Sequence, residues 1–204
     1  MSKAKTYSTA KRGAPQAEAC LAQHGGGPPS GPFEAHDAEG WQRAVDLNFL
    51  SAVRLCRRVV PIMKQQRWGR IIHITSITVK QPVDGLILSN AVRSAVAGLA
   101  KLLANELAPF NILVNTVCPG DTRTDRVVEL AGIQAARSGK APDEILQKWT
   151  SAIPLGRLGE PAEFAAVVTF LASERAGYVT GTTIQIGWVQ SQRSMIQASS
   201  TGSV

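Results

Sequence analysis

Cysteine is scarce in this chain: Cys20, Cys56 and Cys118 are the only three among 204 residues, an odd number set far apart. That excludes a disulfide framework, and two of the three lie inside apolar runs, as reduced core residues of a cytosolic protein do. Runs of like charge are missing too. The 22 Lys and Arg outnumber the 15 Asp and Glu to give +7, but beyond Lys3, Lys5, Lys11 and Arg12 the excess is scattered. A solvated basic surface follows, and nucleic acid is not an expected partner. No apolar run reaches the ~18 residues of a membrane span, and residues 1–19 lack the apolar middle of a secretion signal. A cytoplasmic protein without a membrane partner is expected. His24, His36 and His73 show no metal spacing, so no metal is expected. No GxSxG elbow occurs, and Ser76 with His73, three apart, do not make a triad by themselves. Two Ser-x-x-Lys tetrads, from Ser2 and Ser8, fall in a stretch so rich in these residues that chance accounts for them.

What is present has a clear period. A chain of this length that is 44% hydrophobic and 18% charged can bury one sizeable core, and one domain is expected. Residues 1–18 carry small and polar side chains without an apolar period, and are read as a disordered tail. "ACLAQHGGGPPSG" is a short apolar run ending in a Gly/Pro loop, a strand entering a turn. Trp41, Val45, Phe49, Ala52, Val53, Cys56, Val59, Val60 and Met63 recur every three or four residues, a long helix over 41–65 with Asp37 as its cap. "RWGRIIHITS" holds a β-branched strand at 71–75, buried on both faces. A helix apolar nearly all round spans 89–107, "ILVNTVCPG" is a further strand, Pro161 opens another helix, and "TTIQIG" is the last strand. This alternation predicts an α/β protein with a parallel sheet.

In such sheets ligands bind at the carboxyl ends of the strands, and here those ends read "QHGGG", "ITS" and "CPGDTRT". From about residue 19 to 189 these segments, with "VDLNFLSA", "GRIIHITSI", "NILVNTVCPGDTRT" and "IPLGRLGEPAEFAAVVTFLASERAGYVTGTTIQI", resemble the later two-thirds of a short-chain dehydrogenase/reductase. They are similar to the bacterial 3-oxoacyl-acyl-carrier-protein reductase group. The resemblance implies a Rossmann-like parallel sheet with helices on both faces and NAD(P)-dependent hydride transfer on a small molecule bearing a hydroxyl or carbonyl, such as a 3-oxoacyl group. It also implies roles. Ser76 would anchor the substrate oxygen, Asn48 would hold a water that relays protons, and Gly25, Gly26, Arg93, Pro119, Gly120 and Thr124 would meet the cofactor.

Two departures from the pattern stand out. In "LSNAVRSAVAGLAK", Ser89 stands where the resemblance expects a tyrosine and Arg93 where it expects a lysine. A serine hydroxyl is a far weaker acid than a phenol and falls short of its reach, so Ser89 would act through an ordered water. Arg93 would supply charge and hold a ribose, but cannot give up its proton. The bland alternative makes Ser89 a helix cap and Arg93 a surface cation. Second, no glycine-rich dinucleotide turn precedes Ala19; "HGGGPPSG" instead resembles the family's Asn-Asn-Ala-Gly loop. The reading is of a domain at 19–190 missing its first strands, with a bare sheet edge beside 19–23 and weak nicotinamide binding.

Residues 126–150 match the family's substrate lid, closing through Val127, Leu130, Ile133, Ile145, Leu146 and Trp149, and 191–204 form a C-terminal tail. The two long helices carry more apolar surface than one sheet face covers, so a homo-oligomer is expected. Beside the oxidoreductase stand two other readings: an inactive relative that binds or oligomerises, and a non-redox serine hydrolase or esterase using Ser76 or Ser89.

Overall fold

A computed structural model describes residues 5–7, 20–151 and 153–187 of the chain. Its contacts divide the chain into two units, residues 1–119 with 166–185, and residues 120–165 with 186–204.

The first unit is built on a sheet in the order β1-β2-β3-β4-β5. β2 (Cys20–His24), β3 (Gly69–Ile74) and β4 (Ile112–Pro119) pair in parallel, with Leu21 beside Ile71 and Ile71 beside Val114. β5 (Thr183–Ile186) lies beyond β4. The α/β fold is as expected. The edge beside β2 is not bare, however: β1 (Lys5–Tyr7) runs antiparallel along it, with Thr6 opposite Gln23. The expectation of a disordered tail is therefore corrected at residues 5–7, whose backbone satisfies part of the β2 edge. The rest of 1–18, both Ser-x-x-Lys serines and the tail at 191–204 lie outside the described residues.

The helix expected over 41–65 begins earlier and is interrupted. α1 (Ala38–Ala44) is capped by Asp37, whose carboxylate accepts from Gly40 N at 2.7 Å. A π-turn follows at 45–50, then α2 (Ser51–Gln66). The interruption sits at Asn48, which is 3% exposed; such a wider turn often marks a functional position because it re-aims side chains within an otherwise continuous helix. α3 (Ile87–Leu107) buries Leu88, Val92, Val96, Ala100, Ala104 and Leu107. With Cys56 and Met63 of α2 it covers Leu21, Ile71, Ile112 and Val114, one face of the sheet. On the other face Arg70 donates to Ser173 O, and Asn115 bonds Val179 O and Thr182.

The run Ile87–Phe110 is long and apolar enough to cross a bilayer by length and composition, which corrects the expectation that no stretch is. Its buried stripe against the sheet is that of a core helix.

In the second unit α4 (Asp125–Ser138) and α5 (Pro142–Ser151) form a helical pair over the predicted lid. Ala131, Ala135 and Ile145 are its buried centre, with Leu146 and Trp149 packed against them. Val127 is half-buried, while the side chains of Leu130 and Ile133 lie outside the described residues. α6 (Pro161–Ala172) opens with the expected proline.

Candidate functional site

Four elements of the first unit converge where β2 and β3 end. The loop after β2 carries Gly25 and Gly26. A Cβ on Gly25 would stand 2.9 Å from Leu47 O and 3.0 Å from Asn48 Oδ1, so only glycine lets this loop lie directly on the π-turn. Gly26 adopts φ 79°, and its N–H donates to His24 Nδ1 at 3.3 Å. Asn48 itself is held from behind, its Nδ2 donating to Ala44 O at 3.2 Å.

Ser76 follows β3 and caps a short 3-10 turn, its Oγ accepting from Thr78 N at 3.2 Å. Thr78, 3% exposed, turns its hydroxyl to Ser89 Oγ at 3.4 Å. Ser89 is the third residue of α3, where the cap position is Leu86, and it is 9% exposed. One helical turn on, Arg93 is 5% exposed. Its Nη2 donates to Gly26 O at 2.5 Å and its Nη1 donates to Thr75 O. The guanidinium thus ties the tips of two neighbouring strands together. The bland alternative is overturned on both counts: Ser89 is no cap and Arg93 no surface cation.

The electrostatics are those of a dry site. Burial lowers the Arg93 pKa to about 10, leaving the group charged at neutral pH, while the nearby Cys118 opposes the shift. Burial also pulls the His24 pKa down, and the Arg93 charge adds to it. The Cys118 thiol is pushed up by burial, against the hydroxyl of Thr75 at 3.2 Å and the charges of Lys80 and Arg93.

Asn48, Ser76, Ser89, Arg93, Gly25 and Gly26 therefore belong to one unit, together with Pro119 at the end of β4. Gly120 and Thr124 belong to the second unit, where Gly120 N donates to Ile186 O at 2.7 Å and Thr124 precedes α4. Thr75, Thr78 and Cys118 were missed. The cluster of hydroxyls at 75, 76 and 78 in "ITSIT" signalled the threonines; nothing in the sequence signalled Cys118. Among the described residues no cluster suits a metal.

A nicotinamide cofactor, which the resemblance implies, finds a matching donor set in Arg93: the buried Nε–H has no hydrogen-bond partner among the described residues. A group of this kind is costly to leave unpaired and suits a hydroxyl oxygen.

Comparison with known proteins gives a consistent set. The sequence profile described as enoyl-(acyl carrier protein) reductase matches residues 3–187. The chain is similar to the 3-oxoacyl-[acyl-carrier-protein] reductase FabG of Aquifex aeolicus, 37% identical over 146 residues that cover 72% of this chain and 54% of that protein. It is also similar to nodulation protein G of Azospirillum brasilense, 35% identical over 154 residues, 76% of this chain and 58% of that one. Among solved structures, L-sorbose reductase from Gluconobacter frateurii, complexed with NADPH and L-sorbose, superposes with a TM-score of 0.79 at 31% identity. That match covers 82% of this chain and 64% of that chain. The chain spans about half the length of the curated relatives it matches.

Proposed function

The chain belongs to the short-chain dehydrogenase/reductase family, and on that premise we propose that it serves nicotinamide-dependent hydride transfer on a small molecule bearing a hydroxyl or carbonyl, such as a 3-oxoacyl group. The observation that carries the reading is the buried Arg93, held at the tips of β2 and β3 beside the hydroxyls of Ser76, Thr78 and Ser89. A fixed cation among hydroxyl donors stabilises negative charge developing on a substrate oxygen, and does so more strongly out of water.

The NADPH held by L-sorbose reductase supports the same cofactor class here. Bound, it would supply or accept the hydride; Gly25, Gly26, Arg93 and Pro119 of the first unit are the residues proposed to hold it. Ser76 anchors the substrate oxygen by hydrogen bond. Ser89 and its partner Thr78 orient an ordered water that gives its proton to that oxygen and is replenished from solvent, both hydroxyls keeping their own protons, because neither has the length or acidity to act directly. Asn48 holds the relay from the side of the π-turn. Copies of the chain assemble through α2 and α3, where Ile62 and Leu102 are 51% and 62% exposed.

Fluorescence titration with NADPH and NADH, followed by turnover on 3-oxoacyl thioesters and simple ketones, tests the reading. Saturable binding, weakened more by Arg93→Ala than by Ser89→Ala, is expected. Absence of saturable binding with both cofactors would refute it.

A further inference from the structure

The mechanism leaves one group of buried polar side chains unused. Gln23 on β2, His73 on β3 and Thr116 on β4 are register partners across three strands, beneath α2 and α3, and are 2%, 0% and 0% exposed. His73 Nε2 lies 3.8 Å from Cys56 Sγ, and its Nδ1 lies 3.3 Å from Gln23 Oε1. Gln23 Nε2 donates to Ser51 Oγ at 3.3 Å, and Ser51 Oγ donates to Leu47 O at 2.5 Å and Asn48 O at 3.2 Å.

Thr116 Oγ1 has no partner among the described residues, while for Cys56, His73, Gln23 and Ser51 only one arrangement of protons satisfies all four. Backbone carbonyls accept and never donate, so the Ser51 hydroxyl must give its proton to them. Its oxygen then accepts from the Gln23 amide, which turns the Gln23 oxygen toward His73. His73 must carry its proton on Nδ1, leaving the Nε2 lone pair for the Cys56 thiol. The tautomer and amide orientation are thus assigned by the network. The donors run in a single direction, from Cys56 in the core to the carbonyls of residues 47 and 48.

Those carbonyls belong to the π-turn. At the turn the Ser51 backbone N–H goes to Asp46 O, and the Ser51 hydroxyl serves Leu47 O in its place. We infer that Gln23, His73 and Ser51 are positioning residues that lock the π-turn in the geometry presenting Asn48 to the loop at Gly25. The inference rests on the proposed role of Asn48 for its catalytic consequence, but its geometric content stands apart from that role. The chain links the centre of β3 to the site through directional bonds: an apolar residue at Ser51 would leave Leu47 O without its side-chain donor, and one at Gln23 or His73 would leave the next polar group along the chain without its partner.

The test uses the full chain, labelled with 15N, in three variants: Gln23→Met, nearly isosteric and without polar atoms, Ser51→Ala, and Ser51→Thr, which keeps a γ-hydroxyl. Gln23→Met and Ser51→Ala are expected to move the Asn48 side-chain amide resonance and the backbone amides of 47–51, while Ser51→Thr keeps them near their original positions. With a reducible ketone and NADPH, the first two should lower kcat on the order of 10-fold at nearly constant KM, and Ser51→Thr should recover it. Ser51 sits on a half-buried helix start, so its variants remain folded if Gln23→Met does not. Unchanged Asn48 resonances in Ser51→Ala, or no recovery in Ser51→Thr, would overturn the inference. Absence of turnover in the unaltered chain would instead count against the function, with the resonances still deciding the positioning role.

Discussion

Lowering the pH from 7 to 4 probes the imidazole of His73, which burial holds at a pKa of about 4 against the ordinary 6.5. Its hydrogen-bond neighbours are the Gln23 amide and the Cys56 thiol, itself pushed up to about 11 by burial, so no anion helps it accept a proton. An unfolded chain protonates His73 as pH falls through 6.5; the folded chain does not until about 4. Between those values the unfolded state binds more protons, and stability falls with falling pH. At about 1.4 kcal/mol for each pH unit, the gap amounts to about 3 kcal/mol, a large share of the 5–15 kcal/mol typical of a domain. His24, also lowered, adds in the same direction. Glu163 is separable, because its carboxylate, gripped by Arg157 and held at about 2, loses its contribution only as pH drops below its ordinary 4.5. Urea unfolding at pH 7.0, 6.0, 5.0 and 4.5 measures the slope. His73→Gln, without an ionisable ring, should flatten it. A wild-type stability independent of pH from 7 to 4.5, or an undiminished slope in His73→Gln, would refute the reasoning.

Arg93→Lys should lose one of the two strand-tip bonds, since an ammonium lacks the planar fork; a loss of about 1–3 kcal/mol in chemical denaturation is expected, and an unchanged midpoint would count against the tie. Gly25→Ala forces a methyl within 3.0 Å of Asn48, and should reduce turnover more than it reduces the unfolding temperature. Sedimentation should show a dimer or larger assembly, which Leu102→Glu disperses without unfolding. Leu107→Ala, by contrast, at a position 1% exposed, should cost about 2–5 kcal/mol in folding stability while leaving the assembly state alone.

The strands and long helices were legible because their patterns are backbone-periodic: β-branched runs gave β3 and β4, and the apolar spacing gave α2 and α3. Asp37 was readable as a cap because capping is local chemistry. The π-turn was not: its side-chain bonds from Asn48 to Ala44 O and from Ser51 to Leu47 O join residues four apart as in any helix, and the further partner Gln23 lies 28 positions from Ser51. Arg93 was singled out by its place in "LSNAVRSAVAGLAK", yet its two carbonyl partners come from positions 18 and 67 residues away, which no local pattern encodes. On α3, Leu103 packs against the internal core while its neighbour Leu102 is exposed. A helix apolar nearly all round does not say which stripe the sheet will take. The pairing at residues 5–7 likewise escaped a reading by composition, because a three-residue edge strand has too few positions to show a period.

The small centre formed by Ala131, Ala135, Ile145 and Trp149 between α4 and α5 has a consequence for how this protein can change over time. A helical pair that buries its own apolar residues can accept substitutions on its outer faces while its centre is kept. Substitutions on those outer faces can then accumulate among descendants of this chain while the pair keeps its own fold.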